Sequence, residues 1–495
     1  MPTRRGQTGI IALMRCHWMA TPLFALLLAA TPAVLAEGLP DLGESAQLDL
    51  SPQMERRIGE SIMRDIRLRE PGYVDDPEIN GYLNRLGRGL ARQSDEAKQE
   101  FEFFALRDAT LNAFAMPGGY IGVHTGLILA AQSESELASV LAHEISHVTQ
   151  RHLARMVSKQ SEGQLAGLAA LAVAILAARS NPDAAIGAAL AGQAAGIQHQ
   201  LNYSRDFERE ADRVGLQLLE KSGYDIRGMG SFFERLQRFG RLYENNAPAY
   251  LRTHPLTTER IADMGNRIQQ RPYRQAPDST DFVLVRAKLR AEQGTPREAV
   301  ADFESQTRER KFVSEPGAIY GLARAYLRNK NLDQAEHQLA ALRRLKTEAA
   351  MVETLAAELR TARGDLPGVA AILRAASARY PQDRAIAYAL VEALLANHRA
   401  EEALNIAATD VQGYTTDARM RHLQAKAYAF LGRRLSEHRT QAEAYILQGQ
   451  LNEAIAQLQL AQQAPDGDFY ERSQVDARLR EIKARHAEEL KRKKP

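Results

Sequence analysis

Apolar positions along the chain change rhythm several times, and each rhythm predicts a different element. Residues 18–36 form one short apolar run that ends in the small residues Val34-Leu35-Ala36. Residues 44–100 carry apolar positions at helical spacing among mixed charges. "FEFFALRDATLNAFAMPGGYIGVHTGLIL" (101–129) then alternates, rich in aromatic and β-branched residues, with Pro117-Gly118-Gly119 as its turn. This predicts two or three antiparallel strands. "SESE" at 133–136 fits a capping box with Ser133 as N-cap and Glu136 at N3, so a helix starts there and runs into "VLAHEISHVTQRH" (140–152). Residues 163–197 are rich in Ala and Gly, and Leu165 to Ala178 is a stretch of 14 residues without a charge. That is too short to span a bilayer. Two helices packed closely through small residues are the first reading, and a hairpin in peripheral contact with a membrane is the second. "NYSRDFEREADRVGLQLLEKSGYD" (202–225) reads as a helix closing at Gly223, and "RTHPLTTERI" (252–261) as a loop that enters a helix at Thr257.

Beyond the linker-like "QQRPYRQAPDSTD" (269–281) the pattern becomes short Ala-rich helix pairs. "LDQAEHQL", "LPGVAAIL" and "AEEALNIA" place Ala335, Val369 and Ala403 at equal steps of 34 residues. "PREAVADF" places Ala299 36 residues before Ala335, and "LNEAIAQL" places Ala454 51 residues after Ala403, so one irregular unit intervenes. A 34-residue helix–turn–helix period is the tetratricopeptide signature, and such arrays offer a concave groove to peptides or partner proteins. The expected architecture is therefore mostly α with a small antiparallel sheet: a globular domain at 37–275, then an α-solenoid of tetratricopeptide repeats at 282–487.

Composition changes the picture at the N-terminus. Arg4, Arg5 and Arg15 precede the apolar run, so residues 1–36 read as a signal peptide cleaved after Ala36, with a retained anchor as the alternative. The only cysteine is Cys16, and the mature chain would enter an oxidising compartment without a disulfide. The formal charge of +3 also falls to about 0, because residues 1–36 hold three arginines and no acid; a neutral chain does not point to nucleic acid.

The candidate chemistry lies in His143-Glu144-x-x-His147. Residues four apart share a helix face, so both imidazoles can bind one zinc ion, while Glu144 stands beside it as a general base for water. His152 follows His147 by five and is expected to be an exposed helical histidine. The third ligand falls to "SRDFEREAD". Glu208 and Asp212 are four apart and share a face; Glu208 would ligate and Asp212 would orient a ligand histidine. Glu210 is the rival ligand on another face. Asn112 to Met116 is a candidate edge strand for substrate, a plain hairpin being the alternative, and His124 is taken as structural. His254, stiffened by Pro255, has three readings: a latch that binds the zinc, a donor to the oxyanion, or plain loop structure.

"HEISH", "SRDFEREAD", "NAFAMPGGYIGVHTGL" and "THPLTTERI", followed by tetratricopeptide units behind a signal peptide, resemble the HtpX-like and CAAX-prenyl-protease-like zinc metalloendopeptidases. The resemblance covers nearly all of the mature chain. It implies a zincin-like protease domain with His143, His147 and Glu208 on the zinc and Glu144 as base. It also implies a periplasmic envelope protein that helps outer-membrane β-barrels and lipopolysaccharide-transport partners assemble and degrades those that stall. A chaperone or scaffold with a latent protease site is the competing reading. The chain lacks the multiple spans of the membrane-embedded relatives.

Overall fold

The computed structural model describes residues 50–96, 99–157, 205–242 and 249–492. The apolar segments 1–36 and 163–197 therefore lie outside the described residues. Among the described residues, no helix is long and apolar enough to cross a membrane.

The first helix, α1 (Pro52–Arg69), starts at Ser51, whose hydroxyl accepts from the Met54 N–H, and buries the stripe Ile62, Met63 and Ile66. Helix α2 (Pro77–Ala91) is capped by Asp76 and buries Ile79, Tyr82, Leu83, Leu86 and Leu90 against the sheet. The sheet has three strands, β1 (Glu102–Leu106), β2 (Ala113–Met116) and β3 (Tyr120–His124), in the order β1-β3-β2. β2 and β3 form the expected hairpin around Pro117–Gly119, where Gly118 (φ 77) and Gly119 (φ 84) take left-handed conformations that other residues rarely adopt. β1, however, pairs with β3 in parallel, Glu102 opposite Tyr120 and Leu106 opposite His124, so the sheet is mixed rather than wholly antiparallel. Alternation marks a strand and its faces but not its neighbour. The clue is burial: β3 is buried at every position, as a central strand covered on both faces must be.

Short α3 (Thr125–Ala130) leads into α4 (Glu134–Thr149), in which every residue except Val148 is buried. A helix covered on all sides needs no amphipathic stripe. Ser133 caps it by accepting from the Glu136 N–H at 3.2 Å. The Glu136 carboxylate instead accepts from Gln132 and binds Arg235, so only half of the expected capping box forms. At Arg151 the backbone takes φ 53, and α5 (His152–Val157) leaves in a new direction. Helix α6 (Arg205–Lys221) lies along α4. The approach is close because Gly215 faces the backbone of Ala142 and His143, where a Cβ would meet main-chain atoms at 3.1–3.3 Å. Helices α7 (Arg227–Leu242), α8 (Ala249–Thr253) and α9 (Thr258–Gln269) complete this part, α9 capped by Thr257 as expected.

Twelve helices follow from Thr280 to Arg492. Ala299, Ala335, Val369, Ala403 and Ala454 are all buried at equivalent places in the second helices of pairs. The long step before Ala454 holds two intervening helices, Ala418–Phe430 and Arg434–Leu447, where a regular step holds one. The array is not a loose appendage. One hydrophobic core runs without interruption from Val74 through the α4 residues to Phe282, Tyr320 and Leu355. Lys288 is buried in the seam with its ammonium 2.5 Å from Asp76 and 2.6 Å from Glu78, and the Thr354 hydroxyl donates to Glu78. Ser279, inside the linker-like stretch, donates to Glu134 through its backbone (2.8 Å) and hydroxyl (2.7 Å). The far end of the array returns to the start of the chain, where Arg64 donates to the Gly449 carbonyl at 3.1 Å and faces Glu489 at 3.8 Å. This contact borders a cleft of about 1470 Å³.

Candidate metal centre

Helix α4 carries His143 and His147 one turn apart, and both are buried. Their Nε2 atoms lie 3.0 Å apart. Glu208, from the first turn of α6, places one oxygen 3.5 Å from His143 Nε2 and the other 3.5 Å from His147 Nε2. A tetrahedral zinc with bonds of about 2.0–2.1 Å separates its ligand atoms by about 3.3 Å. The observed spacings of 3.0–3.5 Å fit such an ion. His254 joins them: its Nδ1 is 3.0 Å from Glu208 and 3.3 Å from His143 Nε2. The donor atoms of these four residues all lie within 4.8 Å of one another.

Glu144 is completely buried, yet neither of its carboxylate oxygens makes a hydrogen bond within the described residues. The nearest basic atom is His254 Nε2 at 3.5 Å. A bare buried carboxylate is costly unless a further polar group satisfies it, and a water beside a metal is such a group.

Asp212 sits one turn after Glu208 and faces His143 Nδ1 at 3.0 Å. It is held in turn by Arg260, whose Nε and Nη2 donate to its two oxygens at 2.7 and 2.8 Å. The same guanidinium reaches Glu208 at 2.8 Å and the Pro255 carbonyl at 2.7 Å. Sequence reasoning passed over Arg260. The available signal was charge: two buried acids on one face of α6 require a cation, and Arg260 lies in the first turn of α9. Burial pushes the His143 pKa down, but Asp212 and Glu208 outweigh it and lift it to about 10. Burial pushes the Asp212 carboxyl up, and Arg260 and His143 bring it below its ordinary value. Burial also pulls His147 well below the usual imidazole range, with the neighbouring His143 charge acting in the same direction.

Of three other histidine and glutamate positions, His152 departs from its expected place. His152 is not exposed; it is fully buried. Its helical projection fails because the turn at Arg151 ends α4 and swings the ring back against Phe207, with centroids 4.6 Å apart and planes 15° apart. Burial pushes its pKa down to about 4. The rival ligand Glu210 faces away from the cluster and binds Arg155 at 2.8 Å and His152 Nε2 at 3.1 Å. His124 is buried in β3 with Nδ1 2.8 Å from the Thr110 hydroxyl, and burial pushes its pKa down to about 4. Among the described residues β2 pairs only with β3, and it packs against α4. Tyr250 of α8 donates its backbone N–H to Leu111, next to the start of β2, and stacks its ring on His254 with centroids 4.6 Å apart.

The family model of peptidase family M48 matches residues 77–268, and a tetratricopeptide-repeat model matches residues 360–427. A β-barrel assembly-enhancing protease of Escherichia coli is 33% identical over 452 residues, which cover 90% of this chain and 92% of that one. A Vibrio cholerae protein described in similar words is 42% identical over 306 residues, 61% of this chain and 63% of its own length. A mitochondrial metalloendopeptidase of Arabidopsis thaliana, OMA1, is 31% identical over 198 residues, 40% of this chain and 38% of that one.

Proposed function

We propose a function on the premise that the chain belongs to the β-barrel assembly-enhancing proteases, metalloendopeptidases of peptidase family M48 with tetratricopeptide repeats. The metal is zinc, held by His143, His147 and Glu208. One observation carries this: two imidazole nitrogens 3.0 Å apart, each 3.5 Å from one oxygen of the Glu208 carboxylate, stand beside a buried carboxylate that has no hydrogen bond among the described residues. When bound, the ion supplies Lewis acidity toward the scissile carbonyl and the attacking water. Glu144 then takes a proton from that water and returns it to the leaving amine. Asp212 accepts the Nδ1 proton of His143, so that Nε2 keeps its lone pair for the ion, and Arg260 holds Asp212 in place. An extended substrate adds to the open edge at Asn112–Met116 through its backbone. Metal analysis and casein digestion test the site. The mature chain should hold one zinc, and His143→Ala should lose most of it. Stoichiometric zinc in that variant sinks the assignment.

The cellular reading is finer than the chemistry. After cleavage of residues 1–36 the protein works in the periplasm. It promotes assembly of outer-membrane β-barrels and lipopolysaccharide-transport components and degrades misassembled clients, while the array of 282–487 docks the barrel assembly machinery. The name carried by its relatives and the repeat array support this. Co-purification of barrel-assembly components with the full chain, lost on substitution of the concave face of the array, is the corresponding test.

A latent protease has its own support in His254, which lies at hydrogen-bond distance from Glu208 and near Glu144. We infer a latch: His254 fills the fourth position on the ion until movement of α8 withdraws it. His254→Ala should raise self-cleavage or client cleavage while zinc stays bound. A fall of about a hundredfold would assign the oxyanion role instead, and an unchanged rate would leave His254 as loop structure.

A further inference from the structure

The two ligand histidines are oriented by different devices. Behind His143 stands a carboxylate, Asp212, at 3.0 Å from Nδ1. Behind His147 stands another imidazole: His152 Nδ1 is 2.8 Å from His147 Nδ1. Both rings are buried. The far nitrogen of His152 is 3.1 Å from Glu210, which Arg155 also holds at 2.8 Å. Phe207 stacks on the His152 ring and fixes its plane. Phe207, Glu208 and Glu210 all belong to the first turns of α6, so one helix supplies a candidate ligand and the support for another.

We propose that His152 is a positioning residue that holds His147 in its Nδ1–H form, with Glu210 completing the relay. This rests on the reading of His147 as a ligand. If His147 gives its Nε2 lone pair to the ion, its proton must sit on Nδ1. His152 Nδ1 must then accept that proton, which leaves the His152 proton on Nε2. Only an acceptor can follow, and Glu210 is one. The direction of the chain is thus set from the metal outward, and each group in it has a single allowed role. An outer partner of this kind is worth about 10–100-fold in metal affinity.

The experiment measures zinc affinity of the full chain by chelator competition, together with the visible spectrum of the cobalt-substituted protein. His152→Phe keeps the stacking on Phe207 and removes both nitrogens; its affinity should fall about 10–100-fold. His152→Asn offers an amide oxygen to the His147 proton and should recover most of the loss. Glu210 is only half-buried, so Glu210→Ala tests the relay in a folded protein even if His152→Phe does not fold; its affinity should fall several-fold. Wild-type affinity and an unaltered cobalt spectrum in His152→Phe, or in Glu210→Ala, overturn the relay while leaving the zinc site standing. An equal loss in His152→Asn and His152→Phe overturns it too, because packing alone would then explain the effect. A parent protein that binds neither metal overturns the underlying site.

Discussion

Glu144→Gln will keep the fold and bind metal like the parent protein, but will digest casein about 10²–10⁴-fold more slowly, the usual worth of a positioned general base. The substitution preserves shape. It replaces a group whose oxygens make no hydrogen bond among the described residues with an amide that cannot take up a proton. The closest ring nitrogen, His254 Nε2 at 3.5 Å, belongs to α8 and its following loop, outside the His143-Glu144-x-x-His147 helix. Casein turnover and metal content measured on the same sample decide the matter. Parent-like rates in Glu144→Gln would remove Glu144 from the chemistry. Loss of both metal and rate would make it part of the metal site instead. If barrel assembly in cells survives while cleavage stops, assembly and proteolysis are separable activities of one chain.

Lys288→Met should destabilise the full chain by about 3–5 kcal/mol, the cost of stranding buried charges without their partner. Lys288 is buried, and so is Glu78, while Asp76 has its oxygen 2.5 Å from the ammonium. Chemical denaturation measures the loss, and Glu78→Gln in the same chain should return part of it, because the amide still accepts from Thr354. A change within about 1 kcal/mol would mean that the seam behaves as an exposed ion pair. The pH dependence has a definite sign. Burial pushes Lys288 down, but Glu78 and Asp76 outweigh it and raise it above its ordinary 10.5. Its contribution is therefore full below that value and is lost as pH rises through the raised one. Burial pushes Asp76 up, yet Lys288 brings it below its ordinary 3.8. Its contribution is present above 3.8 and is lost as pH falls through the lowered value. Glu78 is raised by burial and works against the seam near neutrality. Lys288→Met should therefore differ most from the parent between about pH 4 and 10, and less on either side.

What could be read in advance was whatever depends on position along one helix. His143 and His147 share a face by spacing, as do Glu208 and Asp212, and the structure brings these four groups to one place. The repeat was legible for the same reason, since equal spacing put Ala335, Val369 and Ala403 in equivalent buried positions. Features that depend on a change of direction were not legible. Nothing about Arg151 announces a left-handed turn, so His152 was projected along a helix that has already ended. The parallel pairing of β1 follows from which strand inserts between which, and alternation is silent on that. Arg260 and Lys288 are ordinary surface residues by type; their burial becomes visible only when acids from distant segments meet them.

The contact of Arg64 with Gly449 and Glu489 has a consequence for time rather than shape. The Arg64–Gly449 bond spans 385 positions of the chain. Closing so long a loop carries an entropic cost that no local contact offsets, so this junction should be among the last to form. Helix α1 supports the turn at Pro117–Gly119, yet its outer face waits for the far end of the repeat array. Closure of the frame around the metal cluster is thereby tied to the array and not to the residues of the cluster itself. An interrupted or clipped copy would carry every catalytic side chain and still lack the brace that finishes the frame around them.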